Sequence, residues 1–425
     1  MVWAALSNMA KPEWPLIGLK SPSKTNGPLP STKHSQISSP TPNCSELTVT
    51  IQLSQAKIVT PTGVVQGSLS FKGTEIADIV EGPSQHGEDC DGDLLIPGII
   101  DIHTDNLERH FFPRANIDWN PVSAAVVHDG LCISVGVTTV FDSLSIGSFG
   151  AGSARTPDNL IRLTDALHEA HDKRLLKATH RLHWRCEAPS DVMAEWLPDF
   201  ADAPLTGLFS LMDHTPGQRQ YRNIDKFLDM WRREGLTEAA IEDRLAERRA
   251  NVARHDAANR RLVVEVAKAR GVPIASHDDE SVAHIDEAAD LGATIAEFPV
   301  TMEAAQAAQA RGMHIVMGGP NLIRGGSYSG NVPAKDLIAA GLPIGFASDY
   351  VPRSLIECAF ALAAGPWQWP IERAVDTVTG LPARAVGLND RGTLEVGKRA
   401  DVVRVKVVDG HALVRGVWTG GVRVG

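Results

Sequence analysis

The stretch Leu94–His110, LLIPGIIDIHTDNLERH, constrains the fold more than any other in the chain. A short, almost unbroken apolar run stops abruptly at Asp101, His103 and Asp105. A run this apolar and this short predicts a strand buried on both faces, as strands of parallel sheets are. Side chains alternate along a strand, so His103 and Asp105 share a face at its carboxyl end. Four further segments follow the same rule. HRLHWRCE closes on Glu187, LFSLMDH on His214, VPIASHDDE on His277 and LPIGFASDY on Asp349. A single strand ending on a polar residue means little, because every strand has to end. Five that end on imidazole or carboxylate point to converging ligands.

Between about residues 95 and 385, short apolar runs alternate with helical stretches, the pattern of βαβ units. The candidate strands are 95–103, 137–142, 180–187, 207–214, 272–277, 293–298, 314–318 and 343–349. Eight strands in that alternation predict an α/β fold, a (β/α)8 TIM-type barrel whose active site lies at the carboxyl ends of the strands. Alternating β segments flank it: LTVTIQLSQAKIVTP and LSF (69–71) on one side, and Val403, Val405 and Val407 on the other. Residues 46–94 and 386–425 are therefore expected to form one small β-sandwich domain from both termini. Residues 1–45, rich in Pro, Ser, Thr and Lys, are expected to be a disordered extension. Residues 218–270 exceed an ordinary βα connection. They read as a charge-dense helical insertion that leaves a ligand-bearing strand and overhangs the site as a lid.

The formal net charge of −10 argues against a nucleic-acid partner, which calls for a basic footprint. No apolar run approaches the roughly 20 residues of a membrane span, and the opening residues lack a secretory signal pattern. No membrane association is expected. Cys44, Cys90, Cys132, Cys186 and Cys358 are dispersed without CxxC spacing, as reduced thiols in a cytoplasm would be.

Imidazole and carboxylate together suit Zn²⁺, Mn²⁺ or Fe²⁺ better than Ca²⁺ or Mg²⁺. The Gly-rich segment Arg324–Asn331 (RGGSYSGN) can bring backbone N–H groups and the fork of Arg324 to phosphate oxygens, with Ser327 and Tyr328 beside it. Arg219, Tyr221 and Arg222 follow His214 closely, and Asn106 and Arg114 sit in the first loop. All of them could reach the same anion. His171, His284, His314 and His411 read as structural. His110 and His128 stay open. An ion pair with Arg185 or another barrel arginine is the alternative reading of Glu187.

The order His-x-Asp, Glu, His, His, Asp resembles the amidohydrolase superfamily from about Leu47 to Gly425. GTLEVGKRADVVRV (392–405) resembles that superfamily's return into its small β domain. The superfamily pattern has a His at the position of Asp105 and a bridging carbamylated Lys or Glu at that of Glu187. IDIHTDNLERHFFPR, GVTTVFDSLSIG, DHTPGQRQY, SHDDE, PNLIRGGSYSGN and ASDYVP are similar to its diphosphatase branch in phosphonate metabolism, where His-Thr-Asp-Asn is typical. The resemblance implies hydrolysis of α-D-ribose 1-methylphosphonate 5-triphosphate, with release of pyrophosphate, in the carbon–phosphorus lyase pathway. It implies two divalent transition-metal ions held by His103, Asp105, Glu187, His214, His277 and Asp349, with Glu187 bridging them. Asp349 would also act as base. The partner would be a small ribosyl triphosphate bound by Arg324, Ser327, Tyr328, Arg219, Arg222 and Arg114. Assembly into a homo-oligomer stays open. The alternative is cleavage of a C–N bond in a cyclic amide or amine, as in dihydroorotase or a deaminase.

Overall fold

The computed structural model describes residues 50–114, 117–147, 155–327 and 329–425. The expected extension 1–45, Cys44 and Tyr328 lie outside the described residues. The barrel strands are β1 (Ile99–Thr104), β2 (Val137–Ile146), β3 (Thr179–Glu187), β4 (Thr206–Met212), β5 (Ile274–His277), β6 (Ile295–Glu297), β7 (His314–Gly318) and β8 (Ile344–Ala347). They hydrogen-bond in parallel, each to its neighbour in sequence order. All eight expected strands are present. Most of their runs are continuously apolar because both faces are buried; Thr179–Glu187, THRLHWRCE, instead alternates polar and apolar residues. Ile100, Ile102, Phe141, Leu208, Ala275, Ile295, Val316 and Ala347 fill the barrel interior. The opposite faces pack against the surrounding helices in a second, larger core.

Strands from both ends of the chain form one mixed sheet, in the order Val422–Arg423, His411–Thr419, Val402–Val408, Leu94–Pro97, Thr50–Thr60, Gly63–Lys72, Glu75–Glu81. Leu94–Pro97 joins the two ends, pairing with Val402–Val408 on one side and Thr50–Thr60 on the other. The apolar run that reads as one strand is thus two. It breaks at Gly98, where a Cβ would lie 2.0 Å from Thr138 Oγ1, so only glycine passes this close to β2.

The seam between β1 and β8 closes only at the carboxyl end. Thr104 bridges Asp349 there, with Asp105 N to Asp349 O at 2.8 Å and Asp349 N to His103 O at 2.9 Å. Lower down, Thr377 and Val378 fill the gap: Phe346 N donates to Thr377 O and Ile100 N to Val378 O. Buried Asp101 adds a clasp by accepting from Ser348 N at 3.0 Å.

The segment 218–270 departs from a simple insertion. A short helix, Ile224–Arg233, is followed by one unbroken helix, Glu238–Arg270, of 33 residues. At 1.5 Å per residue it is about 50 Å long. Val263, Val264 and Ala267 bury its second half in the outer barrel core. The first half carries a separate cluster, in which Phe227, Trp231 and Ile241 pack with Tyr221 and Leu245.

A polar network lies outside the barrel mouth. His128, on helix Pro121–Ser134, places Nε2 2.8 Å from Asp142 Oδ1 on β2. His180 on β3 places Nδ1 2.7 Å from Asp142 Oδ2 and Nε2 3.3 Å from Asp129 Oδ1. Both ring nitrogens of His180 therefore face carboxylates. Burial works to lower the His180 pKa, but Asp142 and Asp129 outweigh it and raise it to about 9. Burial likewise works to raise Asp142, but His180 and His128 bring it down to about 2. His128, open at the level of sequence, belongs to this network.

The signs follow from linkage. The raised His180 contributes stability that is complete below its ordinary pKa of 6.5 and is lost as pH rises through about 9. The lowered Asp142 contributes stability that is present above 3.8 and is lost as pH falls through about 2. Asp142→Asn should destabilise the fold by about 3–5 kcal/mol, as expected on breaking a buried pair. It should also flatten the decline in Tm between pH 6.5 and 9. Thermal melts across that range check both, and an unchanged Tm would exclude the charged network.

Candidate metal centre

Three strand ends place their last residues by leaving the β conformation abruptly. Asp278 after β5, Phe298 after β6 and Asp349 just beyond β8 all have φ of 56°. This left-handed geometry is uncommon for a residue with a Cβ and clusters at functional sites. Each backbone N–H then donates to the strand alongside: Asp278 N to Glu297 O, Phe298 N to Val316 O, and Asp349 N to His103 O. The turns aim Asp278 and Asp349 into the barrel mouth and wedge the Phe298 ring beside His103 and His277, at centroid distances of 5.0 and 5.2 Å.

The three expected histidines are each held by a carboxylate on Nδ1. His103 Nδ1 lies 2.8 Å from Glu297 Oε1, and His277 Nδ1 lies 2.7 Å from Glu297 Oε2. His214 Nδ1 lies 2.6 Å from Glu187 Oε2, and its backbone N donates to Glu187 Oε1 at 2.7 Å. A histidine tied in this way through Nδ1 presents Nε2 to a cation. Of four three-residue groups among the described residues whose ligand atoms lie within 4.8 Å of one another, two gather these histidines with strand-end aspartates: His103, Asp105 and Asp349, and His214, His277 and Asp278. Asp278 Oδ2 is buried without a hydrogen-bond partner, although His277 Nε2 lies 3.3 Å away. An orphaned buried oxygen beside two imidazoles suits a cation. The residues fit the divalent metal that the sequence implies.

Glu187 does not stand between the two groups as a bridge, because both its oxygens face His214. Nor does it pair with Arg185, which bonds Asp105 Oδ1 instead. Burial works against charging His103, but Glu297 and Asp105 outweigh it and raise its pKa to about 9. A proton therefore competes with a cation for this ring. Burial pushes the Asp349 carboxyl up to about 6, with Asp105 adding to the rise and His103 opposing it.

His103, Asp105, Asp349, His214 and His277 form the floor of a cavity of about 480 Å³ whose wall includes Arg109, Arg155, Arg185, Arg248, Tyr221, Trp231 and Tyr350. Arg155 also pairs with Glu108 at 2.9 Å. A smaller adjoining cavity shares Gln220, Phe298, Asp349 and Tyr350 and adds Asp278, Arg324 and Ser327. Arg324 is exposed and donates to Tyr350 Oη at 3.2 Å. Three expected anion-binding arginines are placed elsewhere. Arg219 is buried, bonded to Asp279 and to His277 O, and braces the loop after β5. Arg222 and Arg114 are exposed; Arg222 reaches Gly330 O at 3.2 Å.

Sequence reasoning missed Glu297, Asp278 and the four wall arginines. Glu297 was within reach of the rule applied to the other strands, since ATIAEF is a strand that closes on a carboxylate. Asp278 stands beside His277 in SHDDE. The wall arginines come from separate loops and helices and leave no local pattern.

The sequence pattern of the amidohydrolase family matches residues 212–424. The α-D-ribose 1-methylphosphonate 5-triphosphate diphosphatase of Escherichia coli (strain K12) is 40% identical over 376 residues, covering 88% of this chain and 99% of that protein. Among solved structures, N-acetylglucosamine-6-phosphate deacetylase from Pasteurella multocida is similar with a TM-score of 0.60 at 14% identity, covering 88% of this chain and 100% of that one. A 5-methylcytosine deaminase from Klebsiella pneumoniae is similar with a TM-score of 0.59 at 15% identity, covering 88% and 97%. These two likenesses concern the fold. Barrel, ligand groups at the strand ends, family pattern and relative all agree: the chain is a hydrolase that belongs to the amidohydrolase family.

Proposed function

We propose that this enzyme is a metal-dependent diphosphatase that releases pyrophosphate from a ribosyl 5-triphosphate in phosphonate breakdown, with α-D-ribose 1-methylphosphonate 5-triphosphate as substrate. The observation that carries the reading is one cavity with metal-ligand groups on its floor and Arg109, Arg155, Arg185 and Arg248 on its wall. A polyanion needs a locally positive pocket even in a protein of net charge −10, and arginine forks suit phosphate oxygens. The specific substrate rests on the name of the 40% identical relative.

Divalent metal would be held at the barrel mouth, where His214, His277 and Asp278 form the group with an unpartnered oxygen, beside His103, Asp105 and Asp349. When bound, it would supply positive charge to phosphate oxygens and acidify water. The chain's own groups do the rest. Glu297 and Glu187 fix the tautomers of the three histidines. The wall arginines grip the triphosphate and offset the charge that develops as the phosphoanhydride breaks. Tyr221 and Trp231, from the helical arm, narrow the cavity and exclude bulk water. Asp349, at the barrel seam, accepts the proton of the attacking water. Arg324 and Ser327 extend the anion path into the adjoining cavity.

Incubating the enzyme with the ribosyl triphosphate and following products by phosphorus NMR should show pyrophosphate and the 5-phosphate. In water labelled with heavy oxygen, the label should appear only in phosphate products. Hydrolysis of a cyclic amide, with no pyrophosphate from any ribosyl or nucleoside triphosphate, would favour the C–N bond reading and sink this one. Asp349→Asn should lose turnover by the roughly 10²–10⁴-fold typical of removing a general base. Wild-type turnover would remove Asp349 from that role.

Glu297→Gln should weaken metal binding by about 10–100-fold, the usual effect of losing a carboxylate behind a histidine ligand. Titration of the stripped protein with Zn²⁺ measures this directly. Unchanged affinity would show that the two histidines do not depend on Glu297.

A further inference from the structure

The two ligand groups adjoin at the barrel mouth but differ in one respect: a guanidinium is already built into one of them. Arg185 lies on β3, two residues before Glu187, so both point into the barrel mouth. Its register partner on β2 is Ser145. That small side chain leaves a path across β2 to Asp105 beyond β1. Arg185 Nη1 bonds Asp105 Oδ1, the same oxygen that lies 3.7 Å from His103 Nε2. Arg185 Nε lies 3.5 Å from Met212 Sδ, which anchors the stem of the fork. Asp349 and Glu108 add to the field that holds its charge. In the other group, Asp278 Oδ2 faces His277 and has no hydrogen-bond partner. The neighbouring cation Arg219 is committed to Asp279.

We infer that the cavity holds a single resident divalent ion, on His214, His277 and Asp278, and that Arg185 supplies the second positive charge at His103, Asp105 and Asp349. This inference rests on the metal-dependent reading above and departs from the two ions that the family resemblance implies. A guanidinium cannot discharge by losing its proton. Seating an ion on Asp105 would therefore strand a buried cation without its partner. An aspartate at position 105 also makes chemical sense beside Arg185, because a carboxylate can receive the fork and an imidazole in its place could not. Arg185 then offsets the charge of a phosphate oxygen beside His103, which Glu297 holds in place through Nδ1.

The full chain, stripped and then dialysed against excess Mn²⁺, should retain one ion by elemental analysis. Its electron paramagnetic resonance spectrum should be that of isolated Mn²⁺. Arg185→Met removes the charge and nearly keeps the length, and should raise the count to two with a spin-coupled spectrum. Arg185→Lys should stay at one. Asp278→Asn should lower the occupancy of the wild-type ion. Two ions in the wild type, or a coupled spectrum, would overturn the inference while leaving the metal-dependent reading intact. A count of one in a folded Arg185→Met variant would also overturn it. No ion in the wild type would overturn both. Should Arg185→Met not fold, the wild-type count and the lysine variant still decide.

Discussion

The structure depends on a seam. β1 and β8 touch only at their carboxyl ends, through the Thr104–Asp349 bridge and the bonds around it. Elsewhere Thr377 and Val378 separate them. The place where the barrel closes is thus also where His103, Asp105 and Asp349 emerge. Buried Asp101 clasps Ser348 just below them. Burial raises the Asp101 pKa to about 6, and its bonds to Ser348 and the His103 backbone only partly oppose that rise. Closure and ligand placement are one event, so the backbone that completes the fold also fixes the geometry of one ligand group.

A second layer of carboxylates supports the first. Glu297 holds two histidines and Glu187 a third, all through Nδ1. Ligands held in this way are oriented before any cation arrives, which removes part of the ordering cost of binding. The arrangement concentrates negative charge in the barrel mouth. Arg185, Arg109, Arg155 and Arg248 line the same cavity and offset that charge.

Much of this was legible in the sequence because burial on both faces leaves a plain signature. Most of the eight strands show as continuous apolar runs, with THRLHWRCE a mixed one, and His103, His214, His277 and Asp349 mark where runs stop. Where the sequence misled, the reasons are physical. The run at Leu94 hides a change of sheet, because Gly98 breaks a strand without breaking its hydrophobicity. Arg219 looked like an anion ligand because it follows His214 closely, but a left-handed turn at φ 48° carries it inward to Asp279. Arg185 looked like a partner for Glu187 because the two share a strand. The partner it meets, Asp105, is two strands away, and no periodicity encodes that distance. The helical arm was recognisable by its charge, but its fusion with a barrel helix was not, since helical propensity continues unchanged across the join.

That fusion has a mechanical meaning. In Glu238–Arg270 one rigid rod belongs at its far end to the barrel core and at its near end to the arm over the cavity. Such a rod has no internal hinge, so any movement of the arm would be that of a lever whose fulcrum is the packing of Val263, Val264 and Ala267. Substitutions in the outer core, far from any ligand, would then alter how the cavity opens. Variation in the arm would in turn be felt as strain at the barrel wall. One helix thus ties the arm beside the site to the scaffold of the barrel.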